Sequence, residues 1–238
     1  MIVVPEGATL LLVTQPDHAH LAGELLSLWR AGGLPEHPRR ADLLFAAREH
    51  DNGWREADAA PRWDAARGLP HDFTSLPRRD RIEIWERGPC RLAAERPYAA
   101  LLIARHALNL FRDRRGEEDW DALLDFLEDF AAGLLAETGA TREELEADYP
   151  LIDLADLISL TACTRRSGAA ERYGTRIEPA PLESAELRLE PFPLAGATTF
   201  RVPCRRIPRR DYRGDADLGG ELATARWEEM SVRIAPVR

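Results

Sequence analysis

The chain has 238 residues, 45% of them hydrophobic, and a formal net charge of −9. That length and apolar fraction supply a buried core for one domain with an appended subdomain, and the negative balance disfavours general nucleic-acid binding. Three scattered cysteines, Cys90, Cys163 and Cys204, have no metal or redox spacing and are odd in number, which argues against a disulfide framework. All 32 basic residues are arginine. The start, Met1-Ile-Val-Val-Pro5, lacks a basic region followed by an apolar run. No later segment is long and apolar enough to span a bilayer, so a cytoplasmic protein with no membrane association is expected.

Residues 2–4 and 9–14 read as short strands around Pro5-Glu6-Gly7. Gln15-Pro16-Asp17-His18 then opens a helix whose apolar stripe is Leu21, Ala22, Leu25 and Trp29. His18 continues that stripe backward, whereas His20 falls with Glu24, Ser27 and Ala31 on the wetter face. In the next helix, 41–51, Leu43, Ala47 and His50 share one stripe and Leu44 and Asp51 lie on its border, so His50 and Asp51 point inward side by side. Asn52-Gly53 reads as the left-handed stop of that helix. A buried carboxylate without a partner costs several kcal/mol or more. A divalent metal would satisfy the doublet, and so would a plain His-Asp hydrogen bond favoured by the helix C-terminus. For the dipeptide alone the hydrogen bond is the commoner arrangement.

Residues 54–77 form a long punctuated stretch with Pro61, Trp63, Gly68, Pro70 and Phe73, read as a pocket wall or lid. His71, in that loop, is a surface residue, a lid contact or, least favoured, a ligand. Helices follow at 78–87, 97–112, 117–137, 143–148 and 151–166. The 97–112 helix carries Leu102, Ile103, His106 and Leu110 at helical spacing. Thr141 and Glu144 make a capping box for the 143–148 helix. In 151–166, Ile152, Asp156, Ser159 and Cys163 share a stripe, and a carboxylate there needs a strong partner. Asp153, close to that helix start, reads as an N-terminal dipole contact. Past Gly174, residues 186–190, 199–202 and 231–234 alternate like half-buried strands, and 221–230 reads as one more helix. Arg205, Arg206, Arg209 and Arg210 read as a solvated face. The expected division is 1–174, a helical metal-binding domain with N-terminal strands, and 175–238, a β-rich extension packed on it.

The order His18, His50-Asp51, His106, Asp156, spread over successive helices, resembles the HD superfamily of metal-dependent phosphohydrolases. The matching fragments are Asp17-His18-Ala19, Glu49-His50-Asp51-Asn52-Gly53 and Leu154-Ala155-Asp156-Leu157-Ile158-Ser159. Nearly end to end, the chain also resembles an uncharacterised bacterial family, a domain of unknown function marked by His50-Asp51-Asn52-Gly53-Trp54 and by Asp156-Leu157-Ile158-Ser159-Leu160 followed by Cys163. The resemblance implies a mainly α fold: an HD-like helical bundle with a small β-sheet formed by the N-terminal strands and the C-terminal region. It implies that His18, His50, Asp51 and Asp156 hold a metal. Asp51 and His106 are the expected catalytic residues, with His106 binding the leaving phosphate, acting as acid, or completing a second metal site.

Two departures limit the carry-over. The lysine that often follows the superfamily's doublet motif has no counterpart, because Trp54 follows Gly53 directly and the chain has no lysine. Additional histidines typical of dinuclear members are also missing, with only His106 facing the right way.

The implied activity is metal-dependent hydrolysis of a small phosphate ester or nucleotide. Metal binding can lower a water's pKa from 15.7 towards roughly 7. Two imidazoles suit manganese, iron, cobalt or nickel better than magnesium. The alternatives are a non-catalytic ligand-binding or regulatory domain and, less favoured, an iron-dependent oxygenase.

Overall fold

The computed structural model describes residues 1–180 and 186–237. It opens with a hairpin, β1 (Ile2–Glu6) and β2 (Thr9–Val13), and continues into helices α1 (Gln15–Ser27) and α2 (Arg40–Glu49). A short helix, α3 (Arg55–Ala59), and a two-residue hairpin, β3 (Trp63–Asp64) with β4 (Leu69–Pro70), fill the punctuated stretch. Four longer helices follow: α4 (Arg78–Cys90), α5 (Pro97–Phe111), α6 (Glu118–Thr138) and α7 (Arg142–Thr164). The chain closes with β5 (Ala170–Arg172), β6 (Thr175–Pro179), β7 (Glu186–Glu190), β8 (Thr198–Pro208), α8 (Asp215–Thr224) and β9 (Trp227–Pro236).

The expected mainly-α bundle with a small sheet is not what forms. About half of the chain is helical, and all the strands but β3 and β4 make one large curled sheet, a half-barrel, so the fold is α/β. Its seven strands run in the order β1-β2-β8-β9-β7-β6-β5, all antiparallel except the β7–β9 pair. The sheet is large because β8 and β9 are long. Phe200, Val202 and Cys204 alternate along β8 and face Val232, Met230 and Glu228 of β9 in register. Pro203, a residue that cannot donate to a ladder, sits where β2 has ended and only β9 pairs with the strand.

The expected helix 221–230 is also corrected. Helix α8 ends at Thr224, and Trp227 onward is strand. Met230, Val232 and Ile234 are buried at a period of two, and that burial outweighs the helix preference of the preceding glutamates.

The two sides of the sheet carry separate cores. Leu11, Val13, Phe200, Val202, Val232 and Ile234 join the main core with α1, α2, α5, α6 and α7. Leu10, Leu12 and Ile207, pointing the other way, pack with Tyr212, Leu218 and Leu222 under α8. Helices α1 and α7 touch the sheet, and α2 and α5 pack on them. The main core contains Ile177, Leu187 and Leu189 as well as the helices. Among the described residues no helix is long and apolar enough to cross a membrane.

Two helical readings change where the site is built. The expected helices 143–148 and 151–166 are one, α7, running through Pro150. A proline inside a helix forfeits a hydrogen bond and costs about 3 kcal/mol. Here the flanking turns are anchored by buried Leu145, Tyr149, Ile152 and Ala155, and the capping box of Thr141 and Glu144 starts the helix. Gly53 is not a left-handed stop either. Residues 52–54 form a turn of 3-10 helix, and the glycine is needed because a Cβ there would lie 2.2 Å from the Ile84 carbonyl oxygen of α4.

Candidate metal centre

Thr14 caps α1 by accepting the Asp17 N–H, with Pro16 in the first turn. This start turns Gln15 and His18 into the core, where both are buried. His50 follows α2 as its C-cap, and Asp51 begins the 3-10 turn. His106 projects from the middle of α5 and Asp156 from the middle of α7. The five side chains converge. His18, His50 and Asp51 offer ligand atoms within 4.8 Å of one another, as do His50, His106 and Asp156.

Each imidazole has one nitrogen occupied by an outer partner, and that partner sets its tautomer. His50 donates from Nδ1 to the Ala47 carbonyl at 2.8 Å. Its Nε2 is buried with no hydrogen-bond partner, 3.3 Å from Asp156 Oδ1 and 3.6 Å from Asp51 Oδ2. His18 Nδ1 lies 3.0 Å from Ser159 Oγ. The Ser159 hydroxyl proton goes to the Asp156 carbonyl, so the oxygen accepts from His18 and leaves its Nε2 facing Asp51 Oδ2 at 2.7 Å. His106 Nδ1 lies 3.3 Å from the Tyr149 hydroxyl, which donates to Asp153 Oδ1. The same logic turns its Nε2 toward Asp156 Oδ2, 3.7 Å away. Three imidazole Nε2 atoms thus face two carboxylates. Bonds of about 2.0–2.2 Å to one ion place adjacent ligands roughly 3 Å apart, and the measured separations scatter about that spacing.

Asp153 is therefore not a contact at a helix start. It is buried in mid-helix and accepts from Tyr149, Tyr173 and Arg172, fixing the hydroxyl that orients His106.

The charges are balanced by proximity. Burial opposes protonation of His50, but Asp51, Asp156 and the Ala47 carbonyl outweigh it and push its pKa up to about 9. Burial likewise opposes ionisation of Asp156, yet His50, His106 and His18 hold it well below the usual carboxylate range. His106 is lowered, chiefly by burial. Gln15 Nε2 donates to Asp51 Oδ2 at 3.1 Å. A buried carboxylate, Asp51, beside a partly buried one, Asp156, with this few donors is a setting that favours a cation.

His18, Asp51, His106 and Asp156 line a cavity of about 220 Å³ whose walls include Trp54, Phe73, Trp85 and Phe111, with His50 behind them. Part of the 54–77 stretch is therefore pocket wall. Phe73 and Thr74 are held by a turn in which Asp72 Oδ1 accepts the N–H groups of Thr74 and Ser75. His71 stays outside, 3.3 Å from Ser75 Oγ and 3.7 Å from Asp64 Oδ2. His20 is half-buried beside Arg48 and Glu49. A larger groove of about 620 Å³, lined by α5, α6 and α7, contains neither ligand group.

Residues 1–209 match the family described as a protein of unknown function (DUF3891). The chain belongs to that family. Its match takes in every residue of the cluster and ends just past β8. No curated protein and no solved structure matches the chain.

Several site residues escape a reading of the sequence. Ser159 and Tyr149 lie three residues after and seven before Asp156, on its stripe, so their hydroxyls were findable as partners. Gln15 and Arg81 carry no such signal.

Proposed function

We propose that this protein is a metal-dependent phosphohydrolase related to the HD superfamily, acting on a small phosphate ester. The observation that carries the reading is the set of three imidazole Nε2 atoms, each with its Nδ1 tied to an outer partner, turned on the carboxylates of Asp51 and Asp156 at one cavity. Oriented ligands of this kind, which release an Nε2 proton when an ion takes its place, are what a transition-metal site requires.

His18, His50, His106, Asp51 and Asp156 would hold the ion. A divalent cation there supplies an acidified water and polarises a phosphoryl oxygen. Imidazole nitrogens favour manganese, iron, cobalt or nickel over magnesium. We assign His106 to the ligand set, since its Nδ1–H is committed to Tyr149 and its Nε2 faces Asp156. Gln15 steadies Asp51 by its hydrogen bond, and Trp54, Trp85 and Phe73 exclude bulk water from the floor. The cavity lies below the roughly 300–1,000 Å³ typical of drug-sized ligands, which favours a compact phosphomonoester over a fully enclosed nucleotide.

The test is elemental analysis of the wild type and of His50→Ala and Asp51→Ala, followed by a phosphate-ester screen. Retention of about one to two transition-metal equivalents by the wild type, lost in folded variants, with phosphate release from at least one ester, is the expected result. A wild type that takes up no metal after reconstitution would overturn the reading.

A further inference from the structure

One charged group at the cavity is left over once the metal centre is assembled. Arg81, in the first turns of α4, lines the same cavity as His18, Asp51, His106 and Asp156. Its neighbours are matched: Arg78 pairs with Glu117 and Asp119, and Arg114 with Glu117. Arg81 has no ion-pair partner among the described residues, and its Nε is buried without an acceptor. The guanidinium instead lies over the Trp120 ring, 5.4 Å from its centroid. Burial, followed by repulsion from Arg114 and Arg78, depresses its basicity, with Glu117 opposing.

Its enclosed Nε lacks the hydrogen bond that a merely structural pairing would supply. Four residues on along α4 stands Trp85, about 6 Å further along the helix axis. Its ring packs 5.8 Å from the His106 ring on one side and 5.8 Å from Phe111 on the other. The cavity is therefore lined by a planar cation, aromatic walls and the ligand cluster.

We propose that Arg81 is the oxyanion anchor of this pocket, taking the phosphoryl group of a small phosphomonoester whose apolar body lies against Trp85, Phe73 and Phe111. The proposal deepens the hydrolase reading and rests on it for the identity of the phosphoryl group. The guanidinium fork matches phosphoryl oxygens in geometry and carries a charge that none of the cavity's own side chains neutralises. Apolar walls so close to the cation leave water few partners there, so a ligand with both an anionic head and an apolar body satisfies the whole surface.

The test is tryptophan-fluorescence titration, since Trp54 and Trp85 line the cavity. The probes are inorganic phosphate and phenylphosphonate, which cannot be hydrolysed as an ester. Wild type, Arg81→Gln and Arg81→Lys are each titrated with and without manganese, and the metal content of each sample is measured. The expected result is saturable quenching, phenylphosphonate binding more tightly than phosphate, and affinity for both reduced about 10- to 100-fold in Arg81→Gln. Arg81→Lys should recover part of that loss, with metal content the same in all three proteins. Arg81→Lys also serves as the test protein if loss of the Trp120 contact unfolds Arg81→Gln, and it must then bind more weakly than wild type, because an ammonium replaces a two-pronged fork. Equal affinity in wild type and variants, or no binding of either probe by the wild type, would overturn the assignment. Absence of metal from a wild type that still binds phenylphosphonate through Arg81 would remove the hydrolase reading and leave the anchor standing.

Discussion

Three imidazole Nδ1 protons decide which ring nitrogens face the centre. Each is directed away from the carboxylates, to the Ala47 carbonyl, the Ser159 hydroxyl or the Tyr149 hydroxyl. Tyr149→Phe removes the acceptor that fixes His106. We expect metal affinity to fall about 10- to 100-fold, the usual cost of losing an outer partner. Competition against a chromogenic chelator would measure it, and an unchanged circular dichroism spectrum would show that the fold is kept. An unchanged affinity would remove His106 from the ligand set. Helical stripes made His18, His50, His106 and Asp156 legible in the sequence, because a polar residue at a core position stands out against aliphatics. The hydroxyls behind them were less legible, since serine and tyrosine on a buried stripe pass as ordinary core residues. Arg81 is invisible for a different reason: whether an arginine has a partner depends on what folds against it.

Helices fared better than strands, and the cause is length of pattern. The apolar stripes of α1, α2 and α5 run over two or more turns and give their facing directly. By contrast, α7 was divided at Pro150, whose local penalty is outweighed by burial along the rest of the helix. The start of β9 falls inside the 221–230 segment that reads as helix, where Glu228 and Glu229 follow Trp227.

The turn between α2 and α3 makes a sharp element-scale prediction. With a Cβ at Gly53 lying 2.2 Å from the Ile84 oxygen, Gly53→Ala forces α4 outward and costs about 1–3 kcal/mol, as overpacking does. Urea denaturation should record the loss.

The 71–75 turn gives a pH prediction. Burial alone would raise the Asp72 carboxyl, but the Thr74 hydroxyl, Arg67 and the Ser75 and Thr74 N–H groups bring it down to about 2 from 3.8. A depressed carboxylate contributes stability that is complete above its unfolded pKa and is lost as pH falls through its folded one. Asp72→Asn should therefore flatten the decline in stability between about pH 4 and pH 2, compared by urea midpoints. A decline as steep as the wild type's would discount the turn's contribution.

At the scale of the whole molecule, the sheet is joined through β9. It pairs with β8 on one side and β7 on the other, so it connects the N-terminal hairpin's half of the sheet to the β5–β6–β7 half. Ending the chain after Ala225 would divide the sheet and expose Phe200, Val202 and Leu187, all buried in the intact fold. Such a chain should not yield a folded monomer by size exclusion and circular dichroism. This closure was not visible from separate short alternating segments, because the pairing partner of a strand is set by contacts far away in sequence. A ligand that binds only the folded state also raises its stability, by about 2.7 kcal/mol at a hundredfold excess over Kd. Chelator treatment should accordingly lower the melting temperature of the metal-loaded wild type and leave that of His50→Ala unchanged.

The contact that makes Gly53 irreplaceable also anchors one wall of the pocket. Asn52 Nδ2 donates to the Gly88 carbonyl, and Arg87 and Arg91 reach back to the Gly53 and Asn52 carbonyls. Helix α4 is thus bolted to the turn that carries Asp51, and Trp85 and Arg81 ride on it at a fixed distance from the floor. The Phe73 turn is held by other bonds, those of Asp72 and one from the Phe73 N–H to the Met1 carbonyl, so the chamber's outline rests on two separately anchored pieces of chain.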